Sequence, residues 1–192
     1  MKVVRLLLHL QLLSGVLLAG AQQRPGSKEY LTQDEITKIQ DAQEIDLRTK
    51  LYMQAAALRL KAAEERLNGK ESAPGDPMEF FSVEDMLEGY YQIMRSVMIN
   101  LDDAYQKPGD DRAGIGKALK NLKESTDRAL KDLEIIKAIA EEKKLEDVWN
   151  LTNRALDIAR GAREGAELGL SDQPADARDK PKKKKPSLTV PP

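Results

Sequence analysis

The chain has 192 residues, 33% charged, 41% hydrophobic and only 4% aromatic, with a formal net charge of −1. That length allows one domain or two small ones, and the balance excludes a polytopic membrane protein and a low-complexity chain. The absence of cysteine excludes disulfide scaffolds, thiol nucleophiles and thiolate zinc sites. The single histidine, His9, lies in a leading segment expected to be removed, which leaves the mature chain without the usual residues for nucleophilic, metal-hydrolytic or haem chemistry.

Residues 1–21 read as a secretory signal. Lys2 and Arg5 precede a leucine-rich stretch from Leu6 to Leu18, and Ala19-Gly20-Ala21 supplies small residues at −3 and −1 of a cut. A membrane anchor is the rival, but a spanning helix needs about 20 largely apolar residues and this run is interrupted by His9 and Gln11. Residues 22–31, with Pro25 and Gly26, read as a flexible leader.

Thr32 followed by Glu35 predicts a capping box, with Leu31 and Ile36 as the accompanying hydrophobic staple. The first helix is expected to run unbroken to Leu67 and to stop at Asn68-Gly69. Its inner face is expected to be Ile36, Ile39, Leu47, Leu51, Ala55, Leu58 and Ala62. A linker with Pro74, Gly75 and Pro77 follows. Ser82 with Asp85 opens a second helix whose inner face reads Val83, Leu87, Tyr90, Met94, Val97 and Leu101, ending before Pro108-Gly109.

Asp110 or Asp111 is expected to cap a third helix carrying Ile115, Leu119, Leu122, Leu130, Leu133, Ile136 and Ala140. A fourth carries Leu145, Val148, Leu151, Ala155, Ile158 and Ala162. No Gly or Pro separates these two. A turn near Lys143-Lys144 would bury both stripes, and one continuous helix is the alternative. No stretch alternates in the manner of a strand. The expected fold is therefore all-α, an antiparallel bundle of about four helices over residues 32–170.

From Ser171 the hydrophobic periodicity disappears and residues 171–192 read as a disordered Lys/Pro-rich tail. Residues 22–170 hold 23 of the 31 basic and 29 of the 32 acidic residues, about −6, against about +3 in the tail. Lys180, Lys182, Lys183, Lys184 and Lys185 are candidates for contact with an anionic surface, a solubilising tail being the plainer use. Without interleaved aromatics or a basic helix face they do not suggest specific nucleic-acid recognition.

Three further patterns invite chemistry. Met86, Tyr90, Met94 and Met98 recur at four-residue steps, which suits a soft ion such as Cu(I) but suits a helical core better. Gly161, Gly165 and Gly169 also recur every four residues. Each costs about 1 kcal/mol relative to alanine inside a helix, so a close helix-packing face is expected there to offset it. Gly114-Ile115-Gly116-Lys117 lacks the outer glycine and the Ser or Thr of a phosphate loop. The expectation is no catalytic residue, no metal and no cofactor.

Tyr30-Leu31-Thr32 and the run Glu35-Ile36 through Gln43-Glu44-Ile45-Asp46-Leu47-Arg48 resemble the start of uncharacterised secreted helical proteins from bacteria. The resemblance covers the first helix. It implies a periplasmic or secreted setting and carries no activity or binding residues. The functional expectation is an exported non-catalytic bundle acting by contact with a protein or envelope partner, with no transmembrane segment in the mature chain. The alternative is a binding protein carrying a small apolar ligand or metal between helices.

Overall fold

A computed structural model describes residues 29–106 and 112–172. The expected signal, most of the leader, the Asp110/Asp111 cap and all but the first two residues of the tail lie outside these. The described residues form five helices: α1 (Gln33–Asp41), α2 (Ile45–Leu67), α3 (Val83–Gln106), α4 (Arg112–Glu142) and α5 (Glu146–Ser171). There is no strand among the described residues. The all-α bundle is thus built of four long helices and a short one. No helix among them is long and apolar enough to cross a membrane.

The first correction concerns the amino-terminal helix, which is two helices. The capping box forms: the Thr32 N–H donates to Glu35 Oε2 at 2.8 Å and the Glu35 N–H to Thr32 Oγ1 at 3.3 Å. The helix it opens then stops at Asp41. In one continuous helix residues 35 and 59 would lie about 36 Å apart, yet Arg59 Nη2 reaches Glu35 Oε2 at 2.6 Å. The chain therefore folds back at Ala42–Glu44, and Arg48 donates to the freed Ala42 carbonyl through Nε and Nη2 at 3.1 and 2.8 Å.

The buried face of α2 also differs from the expected one. Leu47 and Leu58 are 47% and 49% exposed, whereas Thr49, Met53, Ala56, Arg59, Leu60, Ala63 and Leu67 are buried. The physical reason is that α2 meets α1, α3 and α4 at once. A helix enclosed on three sides has no single apolar stripe for periodicity to find. The supposed leader is corrected at its end too. Leu31 is buried, and Tyr30 Oη lies 3.2 Å from Ser96 Oγ on α3.

Elsewhere the stripes pack as expected, except that Leu145, expected on the inner face of the last helix, precedes α5 and is exposed. In α3, Leu87, Tyr90, Met94, Val97 and Leu101 are buried, and Val83 packs on the core's edge. A reciprocal cap opens this helix, with the Ser82 N–H on Asp85 Oδ2 at 2.9 Å and the Asp85 N–H on Ser82 Oγ at 3.1 Å. In α4, Leu122, Leu133, Ile136 and Ala140 are buried, with Leu130 at the edge.

Helices α2 and α4 end in the same kind of turn. After α2, Gly69 (φ +80°) donates to the Arg66 carbonyl and Lys70 to that of Glu65, both at 2.9 Å. After α4, Lys144 (φ 56°) donates to Glu141 at 3.1 Å and Leu145 to Ala140 at 2.9 Å. These are Schellman caps, glycine filling the left-handed position in one and lysine in the other. The turn at 143–144 separates α4 from α5, so the continuous helix is excluded.

Around the ring, α2 neighbours α3 and α4, and α5 neighbours α4 and α3. Each connection reverses the chain, which makes the adjacent pair α2 and α4 parallel. Lys143 Nζ donates to the Leu67 carbonyl and joins their carboxy-terminal ends. Alanines occupy many of the seams, among them Ala56, Ala63, Ala129, Ala155, Ala159 and Ala162, all buried. Small side chains let the helices approach, and Leu60, Leu87, Ile93, Leu133, Ile136 and Leu156 fill the axis.

Candidate functional site

The glycine series of α5 does not behave as one face. A Cβ built on Gly169 would lie 2.9 Å from Leu119 Cδ1, so this position packs closely against α4 as expected. At Gly161 and Gly165 an added Cβ would meet nothing within 4 Å among the described residues. The close-packing expectation is therefore corrected at these two positions: with no side chain on α5 and no helix moved in to fill the space, a groove is left open.

That groove has a volume of about 290 Å³ and lies at the end of the bundle where α3 and α5 finish and α4 begins. Met98 and Tyr105 on α3, Leu119 and Leu122 on α4 and the glycines on α5 line it. Met98 and Tyr105 are 40% and 51% exposed. The only charged residues among its lining are Asp102 and Asp172, both acidic. Apolar walls with an anionic margin suit an apolar segment that carries cations at its flanks.

Met98 is thereby separated from the other members of the methionine series. Met86, Tyr90 and Met94 are wholly buried in the core, where an unbranched thioether fills irregular space. No group of three or more His, Cys, Asp or Glu side chains is placed to hold a metal ion among the described residues. The glycines of Gly114-Ile115-Gly116-Lys117 lie within α4 rather than in a loop. The lysines of the tail, Lys180 and Lys182 to Lys185, fall outside the described residues.

A second concavity, between α2 and α4, has a volume of about 280 Å³. Met53, Ala56, Leu60 and Ala129 form its apolar walls, and Tyr90 of α3 closes its floor. Lys50, Gln54, Asn121, Ser125, Arg128 and Asp132 surround the mouth. The Tyr90 hydroxyl is buried with no hydrogen-bond partner among the described residues. Burial, reinforced by the nearby Asp132 carboxylate, pushes it far above the usual phenol range, so it stays neutral. Burial likewise raises Asp132, against the opposing pull of Arg128 and Lys131.

Nothing in the sequence marked this cleft. Tyr90 sits on the apolar stripe of α3 and reads as core; only the neighbours supplied by α2 and α4 turn it into a floor.

Outside the groove, α4 and α5 are tied by a small charge network. Asp127 accepts from Lys123 Nζ at 2.9 Å and from Arg163 Nε at 2.5 Å, and Glu167 lies 3.4 and 3.2 Å from the same two cations. The Lys123 and Arg163 contacts hold the Asp127 carboxyl below its ordinary range. The network is exposed, and such pairs fasten surfaces only weakly.

Compared with known proteins, the chain matches no family model, no curated protein and no solved structure. Its chemistry therefore has to be argued from its own residues.

Proposed function

We propose that this is an exported, non-catalytic helical-bundle protein that works by binding a protein partner in the groove over Gly161 and Gly165. One observation carries this: two helix-interior glycines whose missing side chains are replaced by nothing within 4 Å. A glycine costs stability inside a helix, and here the intramolecular packing does not repay it. The partner that fits is a segment presenting one or two large apolar side chains, with Lys or Arg beside them to face Asp102 and Asp172. Export rests on the leading segment ending in Ala19-Gly20-Ala21. The basic run at Lys180 and Lys182–Lys185 would add attraction to an anionic envelope surface.

A photo-crosslinking residue placed at Met98 in the native host tests the contact. The expected result is one discrete protein adduct that is lost when Gly165→Trp fills the groove. An adduct that persists in the Gly165→Trp protein, or none at all, would overturn the assignment. An intact amino terminus on protein recovered outside the cytoplasm would overturn the signal.

A further inference from the structure

The cleft between α2 and α4 is a different feature from the glycine groove, and its floor holds a wholly buried hydroxyl that has no partner among the described residues. Leaving a buried polar group unsatisfied is costly, and the cost is removed either by giving it a partner or by deleting it. Among the described residues the side chains of Lys50, Gln54, Asn121 and Asp132 make no hydrogen bond or ion pair, although all four line the same cleft. Polar groups that are convergent and uncommitted, above an apolar wall, are the ordinary make-up of a small-molecule site.

The polar groups are sorted along the cleft. Because α2 and α4 run in the same direction, Lys50 and Ser125 lie toward one end of the cleft, and Ala57 and Asp132 toward the other. Seven residues separate these tiers on each helix, about 10 Å. The first tier and Arg128 between them supply two exposed cations, and Arg128 Nη2 already rests on Ser125 Oγ at 3.2 Å. The second tier supplies the Asp132 carboxylate, whose field acts on Tyr90. Between the tiers lie Met53 and the methyl groups of Ala56 and Ala129, with Leu60 a turn beyond the second.

We propose that this cleft binds a small hydroxy-carboxylate of about ten non-hydrogen atoms. The carboxylate sits against Lys50 and Arg128, and the hydrocarbon lies on Met53 and the methyl groups of Ala56 and Ala129. The ligand hydroxyl accepts from the Tyr90 O–H and donates to Asp132. A carboxylate at the Asp132 end would meet like charge, which sets the orientation. Met53, a flexible unbranched side chain on the cleft wall, yields to let the hydroxyl reach Tyr90.

Titration of the full mature chain with 4-hydroxybenzoate, benzoate and phenol, followed by calorimetry and by amide chemical shifts on α2 and α4, tests this. For a ligand of this size the expected dissociation constant of 4-hydroxybenzoate is on the order of 1 mM or tighter. Benzoate and phenol should each bind about tenfold more weakly. Tyr90→Phe should lower the affinity for 4-hydroxybenzoate several-fold toward that for benzoate, while leaving benzoate itself unchanged. Since that substitution deletes an unpaired hydroxyl, its melting temperature should equal or exceed that of the parent.

Arg128→Gln, at an exposed position, should weaken both carboxylates and leave phenol unchanged. It serves as the second variant should Tyr90→Phe not fold. Absence of binding at about 10 mM, indifference of 4-hydroxybenzoate affinity to Tyr90→Phe, or a lowered melting temperature in that variant would each overturn the proposal. The last would show that the hydroxyl is already satisfied by internal water.

Discussion

Where the segment from Tyr30 to Asp41 lies against α2, a buried guanidinium closes the face. Arg59 donates to both oxygens of Glu35, at 2.7 and 2.6 Å, and to the Tyr30 carbonyl at 2.9 Å. Along α5 the opposite arrangement holds: among the described residues nothing lies over Gly161 and Gly165. Both faces belong to one bundle and both abut α3. The first is closed by a directional ion pair that demands its partner, and the second is left open by residues that demand nothing. A closed face of this kind serves the fold, whereas an open one is available for contact.

Breaking the closed face should give the largest effect. Arg59→Ala strands the Glu35 carboxylate and should cost about 3–5 kcal/mol in urea-induced unfolding. Replacing both partners by apolar residues, Arg59→Met with Glu35→Leu, should recover most of that loss. A cost for Arg59→Ala below about 1 kcal/mol would show that packing alone seats α1.

The same pair predicts a pH dependence. Burial alone would raise Glu35, but the Arg59 contact and the Thr32 backbone N–H outweigh it, and its pKa lies below the ordinary carboxylate value. The stabilisation is therefore fully present above the unfolded-state value of about 4.3 and is lost as pH falls through the lower folded value. Urea midpoints measured downward from pH 5 should fall more steeply in the parent than in Glu35→Gln. Parallel profiles would remove Glu35 from the account.

A smaller effect distinguishes the two Schellman turns. Gly69→Ala forces a side chain into the left-handed region and should cost about 1–2 kcal/mol. Lys144→Gly relieves the same strain after α4 and should gain about 1 kcal/mol. Thermal melts of both variants measure this, and a loss in Lys144→Gly would mean that the lysine side chain matters more than its backbone.

The smallest expected effect sharpens the open face. Gly165→Ala adds a methyl where there is room and should stabilise by up to about 1 kcal/mol. Gly169→Ala should show no such gain, because its Cβ would press on Leu119. Equal gains at both positions would mean that Leu119 moves aside without cost.

Much of the fold was legible because most helices have one buried side. On α3 the spacing of Leu87, Tyr90, Met94, Val97 and Leu101 survives intact in the core. The turn at Lys143-Lys144 followed from the need to bury two stripes, although lysine is a poor residue for that conformation. The break at Ala42–Glu44 left no local mark, since it contains neither Gly nor Pro. It is stabilised from a distance, by Arg48 six residues on and Arg59 across the fold.

Arg59 itself reads as a solvated residue until Glu35 is known to lie beside it. The sites were less legible for the same reason. The recurrence of Gly161, Gly165 and Gly169 is visible in one dimension, but whether another helix fills the space above them is a tertiary fact. The cleft over Tyr90 takes its residues from three helices and has no linear signature.

The fold-back of α1 makes it a latch. A helix of nine residues is too short to persist alone in water, so its order depends on remaining docked. Its amides should therefore exchange with solvent deuterium well before those of α3 or α4, through an opening that leaves the four long helices intact. Each opening uncovers Leu31 and Ile39, both buried when the latch is shut, together with the strip of α2 beneath them. In acid, where Glu35 gains a proton, the opened form becomes more frequent, and the protein acquires a transient sticky surface separate from the groove it shows at neutral pH.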